Sequence, residues 1–107
     1  MAASMDDQEL TQRLRSLGFL KAELERTRSE KAGEISNKTL MKRALRAAIN
    51  APTTPHETKI AAAATLLRVE QALENLRAEI TGLGQELADA NRGWDAAYQV
   101  LQSRPTH

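Results

Sequence analysis

The sequence predicts an all-α protein, an antiparallel helical hairpin or coiled coil that assembles into a helical bundle. Three observations predict this fold. Helix-forming residues dominate the composition, and only 3% of the residues are aromatic, whereas sheet cores are rich in aromatic and β-branched residues. Two prolines, Pro52 and Pro55, interrupt the chain near its middle. A heptad repeat of apolar residues then runs through the second half.

The chain is expected to form a single helical domain, residues 1–107. Its predicted parts are a helix-rich arm over 5–50, a proline turn over 51–55 and a long heptad helix over 55–103. With 107 residues, of which 41% are hydrophobic, it is large enough for one core and too apolar for a disordered tail.

The arm begins with a helix-start pattern, in which Ser4 is the predicted N-cap and Asp6 and Asp7 stand in the first turn. An apolar stripe follows at Leu10, Leu14, Leu17, Leu20 and Leu24. Residues 25–34 are almost wholly polar, and apolar spacing resumes at Ile35. The pattern predicts one interrupted or kinked helix, and the alternative is two helices that meet near Gly33.

The proline turn ends in a second helix-start pattern. Thr54 is the predicted N-cap, Pro55 the first helical residue, and Glu57 completes a Thr-x-x-Glu capping box. Apolar residues then recur in steps of three and four. The repeat consists of Leu66, Val69, Leu73, Leu76, Ile80, Leu83, Leu87, Ala90, Trp94, Ala97 and Leu101.

Folding the chain about residue 53 places the polar stretch 25–34 opposite the middle of this repeat. The predicted result is an uncovered seam between Leu73 and Ile80, and burying it requires more helices. A homo-oligomer or a helical protein partner is therefore expected. The predicted interface residues are Leu73, Leu76, Ile80, Leu83, Leu87 and Trp94.

Positive charge is concentrated around the turn. The formal net charge of the chain is +1, yet residues 35–69 contain six lysine and arginine residues and one acidic residue. Within this region Lys38, Lys42 and Arg46 share one helix face, with Arg43 beside them. These four residues, the basic cluster, are candidates for binding an anion or a nucleic acid, although no nucleic-acid-binding signature accompanies them.

Other site chemistries find no support in the sequence. The chain has no cysteine, and His56 and His107 stand alone without a second metal ligand or a catalytic partner nearby. We therefore expect no catalytic residues, cofactor, metal or small-molecule substrate. The first ten residues lack an apolar run, and no apolar stretch is long enough to cross a membrane, so a cytoplasmic location is expected.

The sequence thus predicts a non-enzymatic interaction module that self-associates or docks on a partner helix through its heptad seam. A small adaptor, a chaperone-like protein or an assembly-accessory protein would fit this description. The alternative is a small dimeric nucleic-acid-associated regulator, in which the coiled coil forms the dimer and the basic cluster binds phosphates.

Overall fold

The computed structural model describes residues 6–104, which form two helices. Helix α1 spans Asp7–Asn50, helix α2 spans His56–Gln102, and the proline turn joins them. Residues 6–104 contain no strand. The prediction of an all-α helical hairpin is thereby confirmed.

Helix α1 is capped by Asp6. The backbone N–H of Glu9 donates a 2.7 Å hydrogen bond to Asp6 Oδ1, and the N–H of Leu10 donates to the Asp6 carbonyl oxygen at 3.0 Å. Asp7 and Glu9 lie in the first turn, where carboxylates favourably face the helix dipole. The predicted cap, Ser4, lies outside the described residues.

Helix α1 continues without a break through the polar stretch and through Gly33. The sequence is compatible with one helix or two, and the structure contains one. A single interior glycine costs about 1 kcal/mol relative to alanine, which packing along a helix of 44 residues offsets.

Helix α2 begins at His56, and the carbonyl oxygen of Pro55 accepts the N–H of Lys59 at 3.0 Å. Pro55 therefore occupies the capping position rather than the first helical position. No side-chain hydrogen bond joins Thr54 and Glu57 in the described part of the chain, so the predicted capping box does not form. The proline ring itself fixes the entry of the chain into the helix.

The heptad repeat of α2 forms the core of the hairpin. Leu73, at 1% exposed, is the most deeply buried large side chain among the described residues. The other buried α2 positions recur on the same face, namely Ala62, Val69, Leu76, Ala90 and Ala97. The predicted seam is thus the face that α2 turns towards α1.

Helix α1 presents a matching seam that is only partly apolar. Its buried and half-buried side chains also recur in steps of three and four, which is the spacing of a coiled-coil face. The lysines of this seam are interspersed with leucine and isoleucine. In order, the face consists of Leu10, Leu14, Leu17, Lys21, Leu24, Thr27, Lys31, Ile35, Lys38, Lys42, Leu45 and Ile49.

Two compact units make up the chain. The terminal unit joins the start of α1, up to Arg28, with the end of α2, from Leu83 onwards. In it Leu10, Leu24, Ala90 and Ala97 are buried. Asp7 Oδ1 accepts a 2.7 Å hydrogen bond from Arg104 Nη1, which ties the two helix ends together.

The turn unit comprises Ser29–Gly82 and contains the end of α1, the proline turn and the start of α2. Its core is formed by Ala62, Val69, Leu73 and Leu76. The predicted uncovered seam between Leu73 and Ile80 is therefore wrong, because the chain covers Leu73 and Leu76 itself.

Lysine side chains explain why the seam is covered despite the polar stretch. The Lys31 side chain is 27% exposed and its ammonium lies 2.7 Å from Glu79 Oε2, while Lys42 is similarly buried with its ammonium 3.8 Å from Glu70. A lysine placed in this way lays its methylene stem along apolar surface and keeps its charge in water. Residues that the sequence pattern counts as polar therefore supply apolar cover.

The ion pairs also join residues about one turn away from those that folding about residue 53 places opposite each other. That folding places Lys31 opposite residue 75, whereas Lys31 pairs with Glu79. Side chains of a helix lean towards its N-terminus, so in an antiparallel pair those of α1 lean away from the turn and those of α2 lean towards it. Contacting residues on α2 therefore lie further from the turn than the backbone alone predicts.

We predict that Leu73→Ala destabilises the hairpin by about 3 kcal/mol, because it removes a buried side chain and leaves a cavity. Leu67→Ala is the matched control: Leu67 is 69% exposed, and its truncation should change the free energy of unfolding by less than about 0.5 kcal/mol. Urea unfolding followed by circular dichroism measures both. Equal effects at the two positions would contradict the assignment of the seam.

We predict that Gly33→Ala stabilises the chain by about 0.5–1 kcal/mol. No atom lies within 4 Å of a Cβ added at Gly33, so alanine gains helix propensity without a steric cost. Thermal unfolding gives the measurement. A lower melting temperature than that of the native chain would indicate that α1 is not a straight continuous helix at this residue.

Candidate interaction surface

The six predicted interface residues all lie on the seam between α1 and α2. Leu73 and Leu76 are buried, and the remaining four, Ile80, Leu83, Leu87 and Trp94, are half-buried. Their side chains are largely occupied in holding the hairpin together. The side chains that remain available for contact with another molecule are therefore those that point away from the seam.

The basic cluster is divided by the fold. Lys42 and Arg46 both approach Glu70 Oε1 of α2, at 3.8 and 3.5 Å, while Lys38 is half-buried in the seam and Arg43 is exposed. Two of the four cations thus share one carboxylate across the helix interface. What remains towards solvent is a smaller positive surface than the sequence predicts.

Lys31 illustrates how the seam lysines are held. The pKa of its ammonium is raised above the usual 10.5, first by the hydrogen bond to Glu79 and further by the charges of Glu79, Glu34 and Glu30, against an opposing contribution from burial. A raised lysine pKa means that the pair contributes its stabilisation below the ordinary pKa and loses it as the pH rises through the raised value. The pair is therefore intact at neutral pH.

An aromatic and cationic stack occupies the terminal unit. The rings of Trp94 and Tyr98 are stacked, with centroids 4.9 Å apart and an interplanar angle of 12°, and the Lys21 ammonium lies 5.2 Å from the Trp94 centroid. Such contacts stabilise the packing of half-buried aromatic rings. Trp94 belongs to the predicted heptad repeat and is half-buried, and a Cβ added at Gly93 would face Leu17.

Several large apolar side chains remain exposed outside the seam. In the terminal unit these are Phe19 (74% exposed), Leu20 (46%), Tyr98 and Val100 (47%). In the turn unit they are Leu40, Met41, Ile60 and Leu67. Single exposed apolar residues need no explanation, but contiguous groups of them mark interaction sites.

Leu20 and Val100 rim a groove in the terminal unit, here called the terminal groove. It consists of two hollows of about 420 and 230 Å³ that share Arg13 and Gly93. Small residues of α2 form much of its lining, and leucines contribute the α1 side. Besides the shared pair, the lining residues are Leu10, Leu17, Leu20, Leu24, Glu86, Asp89, Ala90, Ala96, Ala97 and Val100.

Gly93 lies at the middle of the terminal groove, where the two helices approach each other. A methyl group added at Gly93 would lie 3.5 Å from Leu17 Cδ1, which is ordinary van der Waals contact. Alanine would thus fit within the hairpin, while glycine leaves the groove open at this height.

Charged residues of both signs line the terminal groove. Arg13 is exposed, and neither Arg13 nor Glu86 makes an ion pair within residues 6–104, while Asp89 pairs with Arg92 one turn along the same helix. The groove therefore combines apolar walls with a cation and a carboxylate that the hairpin itself leaves unpaired. This combination is typical of a surface that receives another protein.

The sequence pattern does not predict the terminal groove, although its signals are present. Leu20 belongs to the predicted apolar stripe, yet Lys21 takes the seam position between Leu17 and Leu24, and Leu20 is 46% exposed. Gly93 stands beside Trp94 in the sequence, one heptad before Val100. Leu20 on α1 and Gly93 on α2 each lie beside the seam of their own helix. A two-helix hairpin does not bury this flanking position.

A smaller apolar patch lies on the turn unit. Ile60, Ala63, Ala64 and Leu67 are exposed and follow the spacing i, i+3, i+4 and i+7 on α2, so they share one face. This patch covers only two helical turns and gives way to polar residues at Gln71. It is therefore a weaker candidate than the terminal groove.

The described residues contain no group of three or more His, Cys, Asp or Glu side chains that could hold a metal ion. None of the helices in residues 6–104 has the length and apolar character needed to span a membrane. No protein-family model, curated protein or solved structure matches the chain.

We predict that Lys31→Met leaves the melting temperature close to that of the native chain, whereas Lys31→Ala lowers it by several degrees. Methionine keeps an unbranched apolar side chain over the seam and loses only the charge, while alanine loses the cover as well. Thermal unfolding at neutral pH compares the two variants. If both variants melt equally low, the ion pair with Glu79 and not the stem is the stabilising element.

Proposed function

We propose that this protein is a non-enzymatic interaction module that self-associates or binds a helical partner protein. The seam named by the sequence serves to close the hairpin, and the docking surface is the terminal groove beside it. The observation that carries this function is the groove itself, an apolar depression rimmed by Leu20 and Val100. Its charged lining includes Arg13 and Glu86, which make no ion pair within residues 6–104.

The composition of the groove supports a protein ligand over a small molecule. Its two hollows are open, and their lining mixes leucine, alanine and glycine with exposed charged side chains. Small-molecule sites instead enclose most of their ligand in a concave, largely apolar cavity. A helix laid along the groove could place its side chains between Leu20 and Val100, as in helix-in-groove recognition.

The alternative of nucleic-acid binding receives less support from the contacts of the basic cluster. Lys42 and Arg46 share Glu70, and Lys38 belongs to the seam. Nucleic-acid binding depends on several cations that are free to neutralise phosphates. Protein binding at the terminal groove is therefore the function that we propose.

The test uses the double variant Leu20→Asp/Val100→Asp in the full chain. Both side chains are about half-exposed, so the hairpin should keep its helicity and melting temperature while the groove loses its apolar rim. The native chain should either sediment as an oligomer or retain a defined protein partner from host extract, and the double variant should do neither. Gln12→Asp/Gln99→Asp, at exposed polar positions of the same unit, is the control.

The proposed function fails under either of two results. One is a native chain that stays monomeric up to about 0.1 mM, the range of weak association, and retains no protein that the double variant loses. The other is association that the double variant and the control retain equally, since binding would then not depend on the terminal groove.

A further inference from the structure

Building on the proposed function, we propose that the terminal groove binds the terminal groove of a second copy of this chain. The two copies would be related by a two-fold axis that crosses the groove at the height of Gly93. Two hairpins joined in this way form a four-helix bundle.

The contact between Gly93 and Leu17 fixes the heights of groove residues along the hairpin. Arg13 lies four residues before Leu17 on α1, and Asp89 lies four residues before Gly93 on α2. Because the helices are antiparallel, Arg13 and Asp89 lie about 6 Å from this contact in opposite directions, at 1.5 Å per residue. Glu86 lies beyond Asp89, about 10 Å from the contact.

A two-fold axis at the height of Gly93 reverses these positions. It brings Arg13 of each copy to the height of Asp89 in the other copy, and within one helical turn of Glu86. Each interface then contains two such sets of opposite charges, as an isologous contact requires. The self-complementarity follows because Arg13 and Asp89 lie at equal distances from the middle of the groove and Glu86 lies within one turn beyond Asp89.

A single copy leaves Arg13 and Glu86 without an ion pair, whereas Asp89 pairs with Arg92 of its own helix. Arg13 and Glu86 are about 16 Å apart along the hairpin, judged from the helical rise, and neither makes an ion pair among the described residues. Charged groups at the edge of an apolar contact steer association and set its register. The same charges therefore select the antiparallel arrangement, because a parallel arrangement would place Arg13 at the height of apolar residues.

Two further features favour a second copy as the occupant. The formal net charge of the chain is +1, so two copies repel each other only weakly. Glycine at position 93 lies on the proposed axis, where the two backbones come closest and a side chain would meet its own symmetry mate. A foreign helix would need neither the symmetric charges nor a small residue at the midpoint.

The experiment is a charge exchange between two variants of the full chain, Arg13→Glu and Glu86→Lys/Asp89→Lys. In each variant alone, like charges face each other twice across the two-fold axis, so self-association should weaken at least tenfold (about 1.4 kcal/mol). In an equimolar mixture, the carboxylate introduced by Arg13→Glu faces the two introduced ammonium groups of the other variant. In the same mixture, the unchanged Arg13 of the Glu86→Lys/Asp89→Lys variant faces the unchanged Glu86 and Asp89 of the Arg13→Glu variant. Sedimentation velocity should therefore show a heterodimer in the mixture.

Matched charge changes outside the groove serve as controls. Arg15→Glu changes an exposed cation two residues from Arg13, and Glu25→Lys/Asp95→Lys changes two exposed carboxylates of the same unit. These variants should self-associate as the native chain does. Circular dichroism verifies that all the chains keep their helices.

Two outcomes overturn the two-fold dimer. One is a mixture in which the species are no larger than in either variant alone. The other is a native chain that stays monomeric at about 0.1 mM. If such a monomer still retains a protein that Leu20→Asp/Val100→Asp loses, the occupant is a foreign helix and the proposed function stands; if it retains none, both fail.

Discussion

The hairpin depends on covering one continuous apolar face of α2 with a face of α1 that is only partly apolar. The α2 seam runs from Ala62 to Ala97 without a gap, and leaving its leucines in water would forfeit about 1.5–3 kcal/mol for each side chain. Lysines resolve the mismatch, because a lysine stem covers apolar surface while its ammonium reaches a carboxylate on the other helix. The ammonium groups of Lys31 and Lys42 pair in this way with Glu79 and Glu70.

The same arrangement places part of the positive charge near the turn close to a carboxylate of α2. Lys42 and Arg46 meet at Glu70, so their positive charge is partly neutralised within the fold. Surface ion pairs contribute little stability, commonly below about 1 kcal/mol. These ion pairs instead help to set the register of the two helices. A shift of one residue would move each lysine stem off the seam and separate each ammonium from its carboxylate.

The sequence was sufficient for the architecture but not for the surface. The heptad spacing and the two prolines predict the hairpin, the outer bounds of its arms to within a few residues, and the seam residues of α2. They leave one helix or two open in the first half. Dividing residues into polar and apolar counts Lys31 as a gap in the seam of α1. It therefore predicts an exposed Leu73, whereas Leu73 is the most deeply buried large side chain among the described residues. The terminal groove depends on which residues of the two antiparallel helices come into contact. Because side chains lean along their helices, these contacts lie about one turn away from the pairs that folding about residue 53 predicts.

The apolar pattern of the terminal unit is wider than a two-helix coil requires. A coiled-coil seam uses two positions in seven, whereas helices of larger bundles add a third position beside the seam. In the terminal unit this third position carries Leu20 on α1 and Gly93 and Val100 on α2, one heptad apart on α2 and next to the closed seam. Those residues line a groove that the hairpin leaves open, and this groove is where the proposed four-helix bundle would form. The turn unit closes its seam with lysine stems, and the terminal unit leaves an apolar face exposed, at which we propose that a second pair of helices docks.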